Sequence, residues 1–543
     1  VTTTLHAILD GVAADHPHVR ATFPAERESI TYTDLAASAR AMAAGLVARG
    51  VERNEPVGIL CPNAPEFLQS LFAVSAAGGA ATPLPLPLGM RHAGAYPARL
   101  AAIAEVAGMR RILVSHRFGA LADGLREAVP GLEIISTADA AGPGELPEVG
   151  PDDLAIVQFT SGSTSLPKGV RLTHANVVAG LLAIREGIQL GQGDGGGFWL
   201  PLFHDMGLFG TLSAVLIGIP AHVWSPLSFI KDPARWLREF LDSGATITAM
   251  PNFGYDQLAA ISDDDLAGLR MDHWRVAFNG AEPISEATVR AFVERFAPAG
   301  FRPSTMFGVY GMAEATLAVT FPPLGRAPLF EHVDRDKLAD GGRAVQVEHD
   351  APGARAVAGV GEPVRGVRLR IVDPEAGAEL PEGQVGEILI QGDPVTPGYL
   401  GLEQSLVDGW LPTGDLGYRR GAEVFVTGRR KEMITVRGAN FYPQDVEAVA
   451  RAVPGIFKGR CVAVAAPGGA EVMWLIAECG RKGDEAAAVA TALRTAVSTE
   501  LGLAAVEVHL VAPRALPRTS SGKFQRLAAR DLVTSVTSVT ETA

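Results

Sequence analysis

Residues 1–150 alternate Ala-rich helical stretches with short apolar runs such as 57–60 and 111–114, a rhythm that leaves few architectures open. Apolar runs of that length separated by helical spacers build parallel strands joined by crossover helices. The same rhythm recurs to residue 306, where strands are expected at 155–159, 197–200, 246–250 and 274–279. In sheets of this kind, ligand chemistry gathers where strand ends run into polar or Gly-rich turns. From Leu369 the pattern changes to shorter strands broken by Gly and Pro, at 369–372, 385–391 and 424–427, which predicts a small β-rich subdomain. Beyond 428–432 lies a last compact unit, with a helix expected at 443–452 and strands at 462–466 and 473–479.

A chain of 543 residues is too long for a single hydrophobic core, so several subdomains and a smaller domain are expected. With 47% hydrophobic and 20% charged residues it has the profile of an ordinary soluble globular protein. The net charge of −13 argues against a phosphate-neutralising surface, and nucleic acid is not an expected partner. The three cysteines, Cys61, Cys461 and Cys479, include no close pair that could grip zinc, so free thiols are expected. Residues 1–14 lack the basic and apolar regions of a signal peptide, and the apolar stretch 208–224 is interrupted by Gly, Pro and His. No membrane span is expected, and the cytoplasm is the expected location.

Residues 159–170 read FTSGSTSLPKGV, small hydroxylated and Gly residues after an apolar run, then Lys168. Gly admits a phosphate close to the backbone, the hydroxyl and N–H groups donate to it, and a lysine adds a point charge. A plain flexible Ser/Gly loop is the competing reading. A kinase-type P-loop is excluded, because that motif needs Gly-Lys-Ser/Thr opening a helix, whereas here Pro167 precedes Lys168 and Gly169 follows. Five further segments follow in order: NGAEPI (279–284), YGMAEAT (310–316), TGDLGY (413–418), TGRRKE (427–432) and PRTSSGK (517–523). An aromatic face suits a purine, and a carboxylate is the hard oxygen ligand that Mg²⁺ shares with phosphates. Asp415 in its tight turn also reads as a simple turn cap.

Taken together, the six segments resemble the adenylate-forming superfamily of acyl-CoA synthetases, luciferases and peptide-synthetase adenylation domains. The resemblance implies an α/β fold: a large N-terminal domain of stacked α/β subdomains with a β-barrel-like subdomain, then a small mobile α+β C-terminal domain. It divides the chain into an ATP- and acyl-binding domain (1–428, with the β-rich part at about 361–428), a hinge (429–433), a mobile domain (434–532) and a flexible tail (533–543). Thr160, Ser161, Gly162, Ser163, Thr164 and Lys168 would hold the phosphates. Gly280, Ala281 and Glu282 would line the adenine. Tyr310 would stack on it, flanked by Gly311, Met312 and Ala313. Glu314 would bind Mg²⁺, with Thr160 a second candidate ligand. Asp415 would accept from the ribose hydroxyls, Arg429 would reach ribose and phosphate, and Lys523 would be the catalytic lysine. Two departures stand out: Ser165 where Gly is usual, and Glu432 where the hinge residue is usually Asp or Lys.

Longer phrases point to one branch. Residues 199–207 (WLPLFHDMG), 225–237 (SPLSFIKDPARWL), 250–256 (MPNFGYD), 310–319 (YGMAEATLAV) and 333–345 (VDRDKLADGGRAV) resemble the fatty acyl-AMP ligases. The stretch 321–360 matches in position an insertion of that branch that hinders the domain movement CoA chemistry needs, although a surface excursion would also account for it. The branch implies ATP- and Mg²⁺-dependent conversion of a fatty or fatty-like acid to an acyl adenylate, in fatty-acid, lipid or natural-product (polyketide) metabolism. The acyl group would then pass to the phosphopantetheine thiol of a holo acyl carrier protein. Acyl transfer to CoA, as in an acyl-CoA synthetase, is the alternative, and a non-catalytic nucleotide-binding relative a third reading. His204, grouped with the catalytic residues Lys523 and Glu314, would form the acyl-pocket wall near the carboxylate together with Asp205. Phe253 and Tyr255, like Phe229 and Trp236, would be pocket wall or core. Arg451, Lys458 and Arg460 are candidate contacts for an acidic carrier protein.

Overall fold

The computed structural model describes residues 4–86, 96–160, 167–402, 405–437, 439–469, 471–503, 505–518 and 524–540. The chain forms two compact units, one of Val1–Leu329, Val360–Leu369 and Ile390–Pro412, the other of Phe330–Gly359, Arg370–Leu389 and Thr413–Ala543.

The first unit contains two large sheets. One is a seven-stranded sheet of β1 (Arg20–Phe23), β2 (Glu28–Thr31), β9 (Gly196–Phe198), β10 (Ala221–Val223), β11 (Ile247–Met250), β12 (Val276–Asn279) and β13 (Met306–Gly308), in the order β13-β12-β11-β9-β10-β1-β2. The other comprises β3 (Pro56–Leu60), β4 (Ala80–Pro83), β5 (Arg111–Val114), β6 (Glu133–Ser136), β7 (Leu154–Thr160) and β8 (Lys168–Thr173), in the order β6-β5-β3-β4-β7-β8. Every pairing is parallel except β1 with β2 and β7 with β8. Residues 154–158 of β7 are buried without alternation, as expected of a strand covered on both faces.

In the second unit the strand expected at 462–466 begins earlier, at Ile456, and ends at Ala465. In the first unit the expected strands lie within two residues of those observed, with two-residue shifts at the start of β12 (Val276 and not Trp274) and at β9, which ends at Phe198 and not at Leu200. Pro201 follows closely and has no N–H to extend the ladder, so Trp199 and Leu200 turn into the loop before the helix Asp205–Val215. That helix and β10 bury the apolar stretch 208–224, and among the described residues no helix is long and apolar enough to cross a membrane.

Most residues of a six-stranded sheet fall in the second unit. Its order is Leu329–Asp334, Ala354–Gly359, Glu423–Arg429, Leu411–Arg420, Gly386–Gly392 and Val367–Val372. The C-terminal part of the unit has a three-stranded sheet (Ile456–Ala465, Met473–Cys479, Val506–Val511) and helices Pro443–Arg451 and Gly483–Leu501. Leu493, Val497, Cys461 and Leu475 are among the residues closing its core. The final helix, Arg526–Thr540, runs through Val533, where a tail is expected. Ala529 and Val533 are buried against Val462, Val464 and Ile476, which gives this segment an apolar face to dock. All three cysteines are free and buried.

Candidate active site

In the first unit the site begins at the β7–β8 hairpin. Thr160 and Lys168 are register partners at the end nearest the connecting segment 161–167. Ser161, Gly162, Ser163, Thr164 and Ser165 lie between them and outside the described residues. Along the free edge of β8 runs a segment that no motif singled out. Leu400 N donates to Gly169 O (2.8 Å), Arg171 N donates to Gly398 O (3.0 Å), and Val170 bridges Tyr399 in antiparallel fashion. This register brings the Tyr399 ring 5.1 Å from Lys168 Nζ, a cation–π distance. On its other side the Tyr399 hydroxyl donates to Glu314 Oε1 at 2.9 Å. Thr396 N donates to Glu314 O at 2.7 Å. One short segment thus ties Lys168 to Glu314.

Glu314 sits on a 3₁₀ turn, Ala313–Ala315, and the residue after that turn, Thr316, has φ of 64°. A β-branched residue rarely adopts positive φ. Burial and two hydrogen bonds hold it there, from its hydroxyl to Asn176 O (3.2 Å) and Pro394 O (3.0 Å). A Cβ on Gly180 would stand 2.7 Å from Thr316 Cβ, so the neighbouring helix has to carry Gly at that point. Such local strain is kept where the surroundings over-determine it, commonly at functional sites. Tyr310, with only 9% of its surface exposed, begins the same motif on a short strand paired with Ala318–Phe321. A Cβ on Gly311 would lie 1.9 Å from Leu317 O. Met312 N donates to that same carbonyl at 2.8 Å.

The segment 279–284 leaves β12 in a fixed conformation. Gly280 packs where a Cβ would meet Val309 Cγ2 at 2.9 Å, and Ala281 has φ of 67°. Asn279 Nδ2 donates to Asn252 Oδ1 (3.1 Å), Asn252 donates to Pro283 O, and Glu282 Oε1 accepts from Phe253 N (3.2 Å). The helix Asn252–Ala259 is thereby bound to this segment. Tyr255 has no exposed surface, its hydroxyl donates to Phe278 O at 2.7 Å, and burial pushes its phenol well above the usual range. It is a core anchor. Phe253 is half-buried and packs edge-on to Trp199, which stacks on Phe229 with centroids 3.9 Å apart. Phe229 and Trp236 are fully buried.

His204 caps the helix Asp205–Val215, and its Nδ1 is 2.7 Å from Asp205 Oδ1. The carboxylate also accepts from Met206 N at 2.7 Å, on the helix turn where a negative charge is favoured. Asn63, another residue outside every motif, donates to Leu200 O (3.0 Å) and Trp224 O (2.8 Å) and accepts from Leu202 N (3.0 Å). It fixes the loop that presents His204. Nothing in the sequence near Asn63 announces this, because its partners are more than a hundred residues away.

In the second unit Asp415 and Arg429 are register partners on adjacent strands, and Arg429 Nε donates to Asp415 Oδ1 at 2.9 Å. Asp415 is almost wholly buried and Arg429 is half exposed. Glu432, on the 3₁₀ turn Arg430–Glu432, accepts from Arg526 Nη1 at 2.7 Å. Lys523 lies outside the described residues, between Arg518 and Phe524, which bridge in antiparallel fashion. Among the described residues no group of three or more His, Cys, Asp or Glu side chains could hold a metal ion.

Residues 9–400 match the AMP-binding enzyme family, and 438–530 match the AMP-binding enzyme C-terminal domain. The chain is 33% identical to the long-chain-fatty-acid–AMP ligase FadD32 of Mycolicibacterium smegmatis over 94% of its own length and 90% of the relative's. It is also 33% identical to the medium-chain-fatty-acid–[acyl-carrier-protein] ligase JamA of Moorena producens, over 93% of this chain and 90% of that one. A solved structure from work on fatty acyl-adenylate ligases of E. coli and L. pneumophila superimposes with a TM-score of 0.93 at 32% identity, covering 99% of this chain and 98% of that one. With these likenesses running nearly end to end over a mixed α/β fold, the chain belongs to the AMP-binding, adenylate-forming enzymes and, within them, to the fatty acyl-AMP ligases.

Proposed function

We propose that the protein activates a fatty or fatty-like carboxylic acid with ATP, releasing pyrophosphate, and passes the acyl group to the phosphopantetheine thiol of a holo acyl carrier protein. The observation that carries this reading is the pairing of residues 396–400 along β8, which puts Tyr399 between Lys168 and Glu314 beside the phosphate-type hairpin. The relatives named for fatty-acid–AMP and acyl-carrier-protein ligation support it.

A carboxylate is already ionised at neutral pH, its reference pKa being about 4, so attack on the α-phosphorus needs no general base. A carboxylate oxygen bonds to the α-phosphorus, the bond from that phosphorus to the bridging oxygen breaks, and pyrophosphate leaves with the electron pair. The obstacle is anion meeting anion. Lys523 bridges the substrate carboxylate and an α-phosphate oxygen, and Lys168 adds positive charge at the phosphate loop. Glu314 is a single carboxylate, and among the described residues no cluster of His, Cys, Asp and Glu could hold a metal by itself, which suits Mg²⁺, held by one or two carboxylates together with substrate phosphates. Bound there, Mg²⁺ would neutralise the leaving pyrophosphate. Tyr310 stacks on the adenine, Asp415 accepts from the ribose hydroxyls, and His204 and Phe253 face the acid. In the second step the thiol sulfur attacks the acyl carbonyl carbon, the carbon–oxygen bond to AMP breaks, and the thiol proton passes to solvent. The hinge at 429–433 and the mobile domain at 434–532 belong to this proposal.

The anchoring of residues 330–359 within the second unit favours a carrier protein over CoA as acceptor. Glu331 is buried among Tyr418, Arg420 and Gln346, all hydrogen-bonded to it. Arg335 Nη1 donates to Glu500 O (2.9 Å), and Asp340 Oδ1 accepts from Asn440 N (3.0 Å). A segment fastened to both the six-stranded sheet and the C-terminal part resists the rearrangement that CoA transfer needs.

The test is pyrophosphate release across a panel of carboxylic acids, with CoA or holo carrier protein as acceptor and Lys523→Ala as control. Acid-dependent release with transfer to the carrier alone is expected. Efficient acyl-CoA formation would overturn the carrier-protein reading, and release unaffected by Lys523→Ala would overturn the role of that lysine.

A further inference from the structure

Arg526 opens the last helix and is largely buried between two carboxylates from different elements. Its Nε and Nη2 donate to Glu447 Oε1 and Oε2 at 2.8 and 3.0 Å, a bidentate pair. Its remaining arm, Nη1, donates to Glu432 Oε2 at 2.7 Å. Burial opposes the guanidinium charge, but the two carboxylates outweigh it and raise the pKa of Arg526. The partners differ in kind. Glu447 is buried on the helix Pro443–Arg451, and its Oε1 also accepts from Ala463 N at 3.1 Å, so this end is built into the C-terminal core. Glu432 is a quarter exposed on the 3₁₀ turn that follows the strand Glu423–Arg429.

The position of Arg526 gives this bridge its meaning. Residues 519–523 are bracketed by Arg518 and Phe524, which pair; the Arg518 guanidinium lies 3.9 Å over the Phe524 ring and Gln525 N donates to Pro517 O at 2.9 Å. Arg526 is the next residue along. Whatever holds its side chain therefore holds the residues that follow Lys523.

We propose that Arg526 is a positioning residue for adenylation: fixed by Glu447, it uses its third hydrogen bond to Glu432 to hold the residues that follow Lys523 in register with the turn Arg430–Glu432. The inference rests on the adenylating role of Lys523 proposed above. Bidentate guanidinium–carboxylate geometry is directional, so lysine cannot reproduce both contacts at once.

The test uses the full-length protein and separates the two half-reactions: single-turnover acyl-adenylate formation without acceptor, and acyl transfer from preformed acyl adenylate to holo carrier protein. Glu432→Gln is the main variant, because the partly exposed position tolerates it, and Arg526→Lys is the second. Both are expected to slow adenylate formation about tenfold, as for loss of one charge-assisted hydrogen bond, with KM for ATP within about twofold and transfer slowed clearly less than adenylation. Glu432→Asp, which keeps the carboxylate, should recover most of the rate. Equal slowing of both half-reactions, a rise in KM alone, or wild-type adenylation by Glu432→Gln would each overturn the inference. If Lys523→Ala adenylates normally, the reading beneath it falls instead; if Lys523→Ala is inactive while Glu432→Gln is normal, only the role of Arg526 falls.

Discussion

Acidification should strip stability from the first unit through one histidine. His174 has no exposed surface, and it opens the helix His174–Gly187, which follows directly on β8. Its Nδ1 accepts from Leu5 N at 3.2 Å, and among the described residues its Nε2 has no partner. Burial lowers its pKa to about 3, the nearby His6 adds to the shift, and Asp153 opposes it. His6 is itself lowered, by burial first, with Asp10 opposing and Arg40 assisting. The folded-state pKa thus lies below the unfolded one, so this stability is complete above about pH 6.5 and is lost as pH falls from there toward 3. At about 1.36 kcal/mol per unit, His174 alone costs about 2 kcal/mol near pH 5. Urea titrations followed by tryptophan fluorescence would measure it, since five of the six tryptophans (Trp199, Trp224, Trp236, Trp274 and Trp410) lie in the first unit. His174→Gln should lose stability near neutral pH yet show a pH dependence flatter than wild type by that amount. Parallel pH profiles for the two proteins would refute the reasoning.

Three further outcomes are expected. Gly311→Ala puts a Cβ 1.9 Å from Leu317 O, so it should cost about 1–3 kcal/mol by thermal unfolding and reduce adenylation as the Glu314 turn shifts. Tyr399→Phe removes the hydroxyl that donates to Glu314 Oε1 while keeping the ring near Lys168. It should lower the rate of pyrophosphate release about ten- to a hundredfold, the worth of one hydrogen bond to a charged group, with little change in unfolding temperature. Arg335→Ala combined with Asp340→Ala removes two of the contacts from residues 330–359 to the C-terminal part, while Arg355 stays paired with Asp445 at 3.0 Å; acyl-CoA formation, measured with CoA as sole acceptor, should rise, and rise further when Arg355→Ala is added.

The sequence made different parts of this molecule legible for different reasons. The strand Met473–Cys479 matches its expected bounds, because the apolar run 473–477 has a clear inward preference and Gly480 directly follows the strand. Tyr310, Glu314 and Asp415 were readable as residue types whose chemistry suits a nucleotide. Tyr399, Asn63 and Arg526 were not. Tyr399 meets Glu314 across 85 positions of chain, Asn63 reaches Leu200 across 137, and Arg526 reaches Glu432 across 94. Contacts of that span leave no periodicity; only the folded backbone brings them together. Tyr255 is the opposite case. Its aromatic ring could as well line a pocket as fill a core, and the hydroxyl bonded to Phe278 O fills the core.

β8 ends its sheet, and an uncovered terminal strand is a template on which other chains can add. Residues 396–400 occupy that position, so the stretch that holds Tyr399 in place also shields the protein from self-association. A fragment ended before residue 393 would therefore lose more than a hydrogen bond to Glu314. It would expose the β8 ladder, and it is expected to aggregate on purification, whereas a fragment carried through residue 412 keeps the edge closed.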